Sequence, residues 1–163
     1  MVVQIHPTAE VSSLADLEPS LRGSRLEIGA YARIDSFVKI KPVGGVGDIL
    51  IGERSYINSG CVLYSGNGII IGSDVLIAAN CTLAPVNHAF HDRKKLIRNQ
   101  GFARSRGGIV IEDDVWIGAN SVILDGAIIR RGCVVGAGSL VLGELREYSI
   151  CRGTPAIPVS ERQ

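Results

Sequence analysis

The chain repeats itself every six residues. Ile111, Ile117, Ile123, Ile129, Val135 and Val141 stand six apart without a break. Four positions after each of the first five comes a mostly small residue: Val115, Ser121, Ala127, Cys133 and Ser139. The places between collect Gly, Asp and Asn, as in Gly118-Ala119-Asn120, Asp125-Gly126 and Gly136-Ala137-Gly138. The same register runs upstream with insertions, through Ile5, Val11 and Leu17, then Ile28, Ile34 and Ile40, then Ile51, Ile57 and Leu63, then Ile71, Ile77 and Leu83. A sextet is too short for a helix pair or a hairpin, but it fits one short strand and a turn. Places five and one are two residues apart, so both point inward from the same strand face. Three sextets close a triangular coil, and coils stack as parallel strands ~4.8 Å apart. The pattern predicts an all-β solenoid of about six triangular coils over residues 1–163, a single domain with a short C-terminal tail. A sandwich of short strands would put its turns 8–12 residues apart instead.

Composition agrees and narrows the function. Among 163 residues there are 20 glycines and only 5% aromatics, which suits short strands joined by tight turns. A hydrophobic content of 46% excludes a disordered chain. A net charge of +1 argues against a nucleic-acid binder. No apolar run approaches the ~18 residues of a membrane span. The stretch Met1 to Pro7 lacks the basic and apolar regions of a secretory signal, so a cytoplasmic protein is expected.

The period fails once. Leu83 and Ile111 are 28 positions apart where six suffice, so 22 residues, within about 84–108, are extruded as one long loop. Such a loop on a regular scaffold is a place for function. It holds His88 and His91; the third histidine, His6, precedes Pro7 in the least regular coil and reads as a turn residue. It also holds Arg93, Lys94, Lys95, Arg98, Arg104 and Arg106, a cluster that would attract an anionic substrate. Cys61, Cys81 and Cys133 occupy the small inward place and read as reduced core thiols, with a Cys61–Cys81 bridge left open; Cys151 follows the repeats. No Cys-x-x-Cys spacing occurs, and no metal is expected.

The tract Ile111-Glu112-Asp113-Asp114-Val115-Trp116-Ile117-Gly118-Ala119-Asn120, then Val135-Gly136-Ala137-Gly138-Ser139 and Gly153-Thr154-Pro155-Ala156, resembles the hexapeptide-repeat acyltransferases. It looks most like the branch of maltose, galactoside and polysaccharide O-acetyltransferases. The resemblance implies a left-handed parallel β-helix, acetyl-CoA as co-substrate, and a homotrimer with active sites between subunits. It implies direct attack of a sugar hydroxyl on the thioester, with no acyl-enzyme. His88, after Asn87, matches the family's general base at the start of the loop. Asn58 matches a position at the acceptor end, and Asn87, His91, Arg104 and Arg106 are the further acceptor candidates. Trp116, Ala119, Gly136, Ala137, Ser139 and Pro155 match the donor groove. The family's basic residue after Pro-Ala is replaced by Ile157, and Arg152 is the candidate to supply that charge. Two other readings of the same fold are N-acetylation of an amino-sugar nucleotide and a non-catalytic scaffold. A zinc carbonic anhydrase needs three histidines in one site, and His6, His88 and His91 are not spaced for it.

One further pattern concerns assembly. The place beside each inward aliphatic points outward. It is polar early, at Glu10, Asp16, Arg33 and Lys39. Later it is apolar, at Tyr56, Val62, Leu76, Trp116, Val122, Ile128, Val134 and Leu140. An outward apolar stripe of that size predicts an interface along the later coils.

Overall fold

The computed structural model describes residues 3–163. Each coil contributes three strands. They are β1 (Val3–Ile5), β2 (Glu10–Val11) and β3 (Asp16–Leu17); then β4 (Leu26–Ile28), β5 (Arg33–Ile34) and β6 (Lys39–Lys41); then β7 (Ile49–Ile51), β8 (Tyr56–Ile57) and β9 (Val62–Tyr64). The fourth coil is β10 (Ile69–Ile71), β11 (Leu76–Ile77) and β12 (Thr82–Ala84). The fifth is β13 (Ile109–Ile111), β14 (Trp116–Ile117) and β15 (Val122–Leu124), and the sixth is β16 (Ala127–Ile129), β17 (Val134–Val135) and β18 (Leu140–Val141). A partial seventh coil, β19 (Glu144–Leu145) and β20 (Ser149–Arg152), lies above them. The tail is a strand in its own right: β21 (Ile157–Glu161) turns back and pairs antiparallel with β20.

Three flat faces result. The first stacks β1, β4, β7, β10, β13, β16 and β19; the second runs from β2 to β20 and ends on β21; the third runs from β3 to β18. Register is kept throughout, so equivalent aliphatics stack: Ile28, Ile51, Ile71, Ile111 and Ile129 on the first face, and Ile34, Ile57, Ile77, Ile117 and Val135 on the second. These columns fill the core, where Ile57, Ile77, Ile117 and Val135 have no exposed surface. Each such side chain contributes roughly 1.5–3 kcal/mol by leaving water.

The small inward place has a second task. Ser55, Ser121, Ser139 and Ser149 turn their hydroxyls onto corner carbonyls, at 2.7 Å to Gly72, 2.7 Å to Gly118, 2.6 Å to Gly136 and 2.6 Å to Arg146. Cys61 donates likewise to Ala78 O at 3.1 Å and Cys81 to Gly118 O at 3.3 Å. Ser and Cys interchange there because both are small and both donate. All four cysteines are free and buried, so Cys61 and Cys81 are not bridged. Contact with Cys81, together with burial, pushes the Cys61 thiol well above its usual range. Burial pushes Cys133 up to about 11.

The outward apolar residues do not form one stripe. Tyr56, Leu76, Trp116 and Val134 lie on the second face, Val62, Val122 and Leu140 on the third, and Ile128 on the first. The period of six places one such residue on each face in turn, which a reading along the chain merges into a single line.

Candidate functional site

The long loop leaves the third face after Ala84 and returns to the first face at Ile109. Coils four and five pair across it without disturbance, Ile69 to Ile109 and Ile71 to Ile111. The loop has its own structure. At its neck Ala103 N–H donates to Asn87 O (2.8 Å) and Ala89 N–H to Gly101 O (3.0 Å). His88 and Phe102 form a bridge between these, with ring centroids 5.0 Å apart. Further out, Gln100 Nε2 donates to Asp92 O and Lys95 O, at 2.9 and 3.0 Å. The His88 ring is therefore backed by an aromatic and otherwise exposed. His91 stacks on Phe90 instead, 4.5 Å between centroids, further from the neck.

A buried carboxylate fixes the returning limb. Asp125, in the two-residue corner between β15 and β16, is 2% exposed. It accepts the Arg106 N–H at 2.7 Å and the Gly108 N–H at 2.9 Å. The Asp125-Gly126 pair reads in sequence only as a turn; its anchoring role depends on lying one coil above the loop's return. Arg106 also donates through Nη2 to Leu142 O at 3.2 Å, so its guanidinium lies against the prism. Arg104 is exposed, as are Arg93, Lys94, Lys95 and Arg98.

The expected donor residues gather elsewhere, at the corner between the second and third faces. Ala119 follows β14 in the fifth coil and Gly136-Ala137 follow β17 in the sixth. The backbones touch closely: a Cβ on Gly118 would fall 2.4 Å from Ala137 N. Arg152 lies against Gly136, and the segment after it runs beside β18, with Ala156 N–H on Leu140 O at 2.8 Å. Pro155, after a cis bond, is exposed there. Trp116, three residues before Ala119, is 52% exposed on the second face. Ser139 is different. Its hydroxyl is buried, donates to Gly136 O at 2.6 Å and accepts the Gly153 N–H at 3.2 Å. The hydroxyl closes a corner from the inward place of the repeat, at the same corner as the other expected donor residues.

Asn58 lies at the same corner, in the third coil. One protomer thus brings Asn58, Ala119, Gly136, Ala137, Arg152 and Pro155 to one corner and puts His88, Asn87, Arg104 and Arg106 at the next. A strand of the third face separates them. Among the described residues no group of His, Cys, Asp and Glu is arranged to hold a metal ion. No helix among them is long and apolar enough to cross a membrane.

Comparison with known proteins identifies the class. Residues 108–143 match the bacterial transferase hexapeptide model, and residues 48–85 the hexapeptide repeat of succinyl-transferase. A hexapeptide-repeat acetyltransferase of Vibrio cholerae, solved with acetyl coenzyme A, is 30% identical, covering 83% of this chain and 71% of that one at a TM-score of 0.73. The chain belongs to the hexapeptide-repeat transferases, and its three-faced prism is their left-handed β-helix. A probable acetyltransferase of Mycobacterium tuberculosis is 32% identical over 161 residues, 99% of this chain and 48% of the relative. The galactoside O-acetyltransferase of Escherichia coli is 33% identical over 114 residues, 70% and 54% of the two chains. The chain therefore spans about half the length of these two curated relatives. A variant of a Bacillus cereus N-acyltransferase, solved with dTDP-4-amino-4,6-dideoxyglucose and coenzyme A, superposes with a TM-score of 0.82 at 25% identity, covering 99% of this chain and 84% of that one.

Proposed function

We propose that this protein transfers an acetyl group from acetyl-CoA to a hydroxyl of a sugar or sugar-bearing acceptor, with His88 as general base. The observation that carries the reading is the His88 imidazole, exposed at the neck of an ordered loop whose return is fixed by Asp125. The donor corner fits a long thioester ligand. Ala119 and Ala137 carry only small side chains there, a Cβ on Gly138 would meet nothing within 4 Å, and Arg152, packed against Gly136, offers a cation for phosphate. Acetyl-CoA supplies the activated acetyl carbon. Neutral His88 takes the acceptor's hydroxyl proton as that oxygen forms its bond to the thioester carbonyl carbon. The carbon–sulfur bond then breaks, and protonated His88 returns the proton to the leaving thiolate. Because His88 and the donor corner lie at different corners of one prism, the site is completed by a neighbouring protomer, and a homotrimer satisfies this.

The test is thiol release from acetyl-CoA with a panel of sugars and amino sugars. His88→Ala should cut turnover about 10²- to 10⁴-fold, the scale of a general base, while acetyl-CoA binding is kept. His91→Ala should cost far less. An active His88→Ala enzyme, or a monomer at micromolar concentration, refutes the reading. Acylation of an amine on a nucleotide-linked sugar is a second reading, favoured by the Bacillus cereus likeness; in the same panel it would appear as a preference for the amino sugar.

A further inference from the structure

At the corner between the second and third faces, five coils place one residue each in the left-handed region: Phe37 (φ 64°), Gly60 (73°), Asn80 (60°), Asn120 (59°) and Gly138 (69°). Gly and Asn enter this region readily, whereas a bulky side chain there is strained. Phe37 gains no compensating burial, because it is 63% exposed. Tyr31 (φ 57°) and Tyr148 (φ 55°) are exposed aromatics with such angles at other corners, so what sets Phe37 apart is the company its own corner provides. The Phe37 N–H donates to Leu14 O at 3.1 Å, and Leu14, 57% exposed, stands one coil below on the same corner.

Several polar groups belong to the same corner in this coil and its neighbours. Asp35, two residues before Phe37, accepts the Ser36 N–H at 2.7 Å and the Tyr56 hydroxyl at 2.9 Å. The Ser12 and Ser36 hydroxyls meet at 3.0 Å. The Asp35 N–H donates to Ile57 O, which puts Asn58 one coil above Asp35. An apolar ring beside hydroxyl and carboxylate groups is a sugar-binding arrangement: a pyranose lays its C–H face on the ring and bonds its hydroxyls around the rim.

We propose that Phe37 is the stacking platform for a second ring of the acceptor, one coil beyond Asn58, so that the preferred acceptor is a glycan or a nucleotide sugar rather than a free monosaccharide. This rests on the acetyl transfer proposed above. Two variants separate it from a structural role. Phe37→Asn installs the residue that Asn80 and Asn120 already provide at this place in other coils. Tyr31→Asn is the control: Tyr31 is equally exposed at 63%, with φ 57°, but sits at the corner between the first and second faces.

Thiol release is followed with methyl β-galactoside, phenyl β-galactoside and dTDP-glucose as acceptors, alongside thermal melts and light scattering. The native protein should show a KM roughly 3- to 10-fold lower for a second-ring probe than for the methyl glycoside, the scale of one ring stack. The probe that gains, aryl glycoside or nucleotide, identifies the source of the second ring. Phe37→Asn should abolish the difference, Tyr31→Asn should retain it, and both should melt at or above the native temperature because strain is relieved. A native enzyme without the preference, or a Phe37→Asn enzyme that keeps it, overturns the proposal. So does a Phe37→Asn protein that melts several degrees lower or changes mass, since the ring would then be packing against protein. If no acceptor in the wider panel releases thiol, the transfer reading itself fails and the platform falls with it.

Discussion

Asp125 is where fold and chemistry meet, and removing its carboxylate has consequences that can be worked out. It accepts two backbone N–H groups, from Arg106 and Gly108, at 2.7 and 2.9 Å, in a corner almost closed to water. Hydrogen bonds to a charged group contribute about 1.5–3 kcal/mol each, so Asp125→Ala loses about 3–6 kcal/mol if the limb stays in place. At roughly 2–4 °C per kcal/mol for a chain of this size, the melting temperature would fall by about 6 °C or more. The alternative is that residues 104–108 peel away and take their hydrogen bonds to water. The melting temperature then falls less, but the limb opens and trypsin reaches Arg104 and Arg106. A large value of one loss implies a small value of the other, so melting and tryptic digestion must be measured together. Asp125→Asn keeps one acceptor and should lie between. The neck bonds at Asn87 and Ala89 do not involve Asp125, so His88 keeps its bridge to Phe102 but loses its fixed relation to the prism. We expect kcat/KM to fall about 10- to 100-fold, as for a catalytic group displaced by about an ångström. An Asp125→Ala protein with unchanged melting, digestion and activity would refute the anchoring role.

Other outcomes follow from the same structure. The four buried thiols should resist an aromatic disulfide reagent in the native protein and all react once it is unfolded; a fast-reacting native thiol contradicts the inward assignment. The Arg130 guanidinium, at 2.8 Å, and the Arg131 N–H hold the Glu112 carboxyl below its usual range. Its contribution to stability is therefore complete above the ordinary glutamate pKa and is lost as pH falls through the lowered one. Glu112→Gln should melt below the native protein at pH 7, with the difference closing as pH falls below the ordinary glutamate pKa of about 4.3; a difference that stays constant under increasingly acid conditions argues against the ion pair.

The repeat was readable because the core is a set of columns. One aliphatic every six residues is the whole requirement, so Ile77 over Ile57 and under Ile117 is visible from spacing alone. The loop was readable as an interruption of that spacing. What spacing does not carry is orientation around the prism and contacts between coils. That is why the outward apolar residues merge into one stripe in sequence, and why Asp125 passes for a turn. It is also why β21 reads as a tail: its pairing with β20 is antiparallel and has no sextet. Phe37 and Tyr31 are legible only once their positive φ angles are known, since nothing in an aromatic residue announces a left-handed turn.

The undisturbed pairing of β10 with β13 across the loop has a consequence for how such a chain can change. A coil needs only a short corner there: four residues, 65–68, join β9 to β10, and two, 125–126, join β15 to β16. The loop spends 24 residues, 85–108, on the same junction. Closing 24 residues rather than four costs about 1.6 kcal/mol of chain entropy, a small fraction of a domain's stability. The scaffold therefore sets little limit on how long the loop is. Outside the returning limb that Asp125 holds, insertions, exchanges and deletions are nearly neutral for folding, so the solenoid can keep its coils while the loop is rewritten.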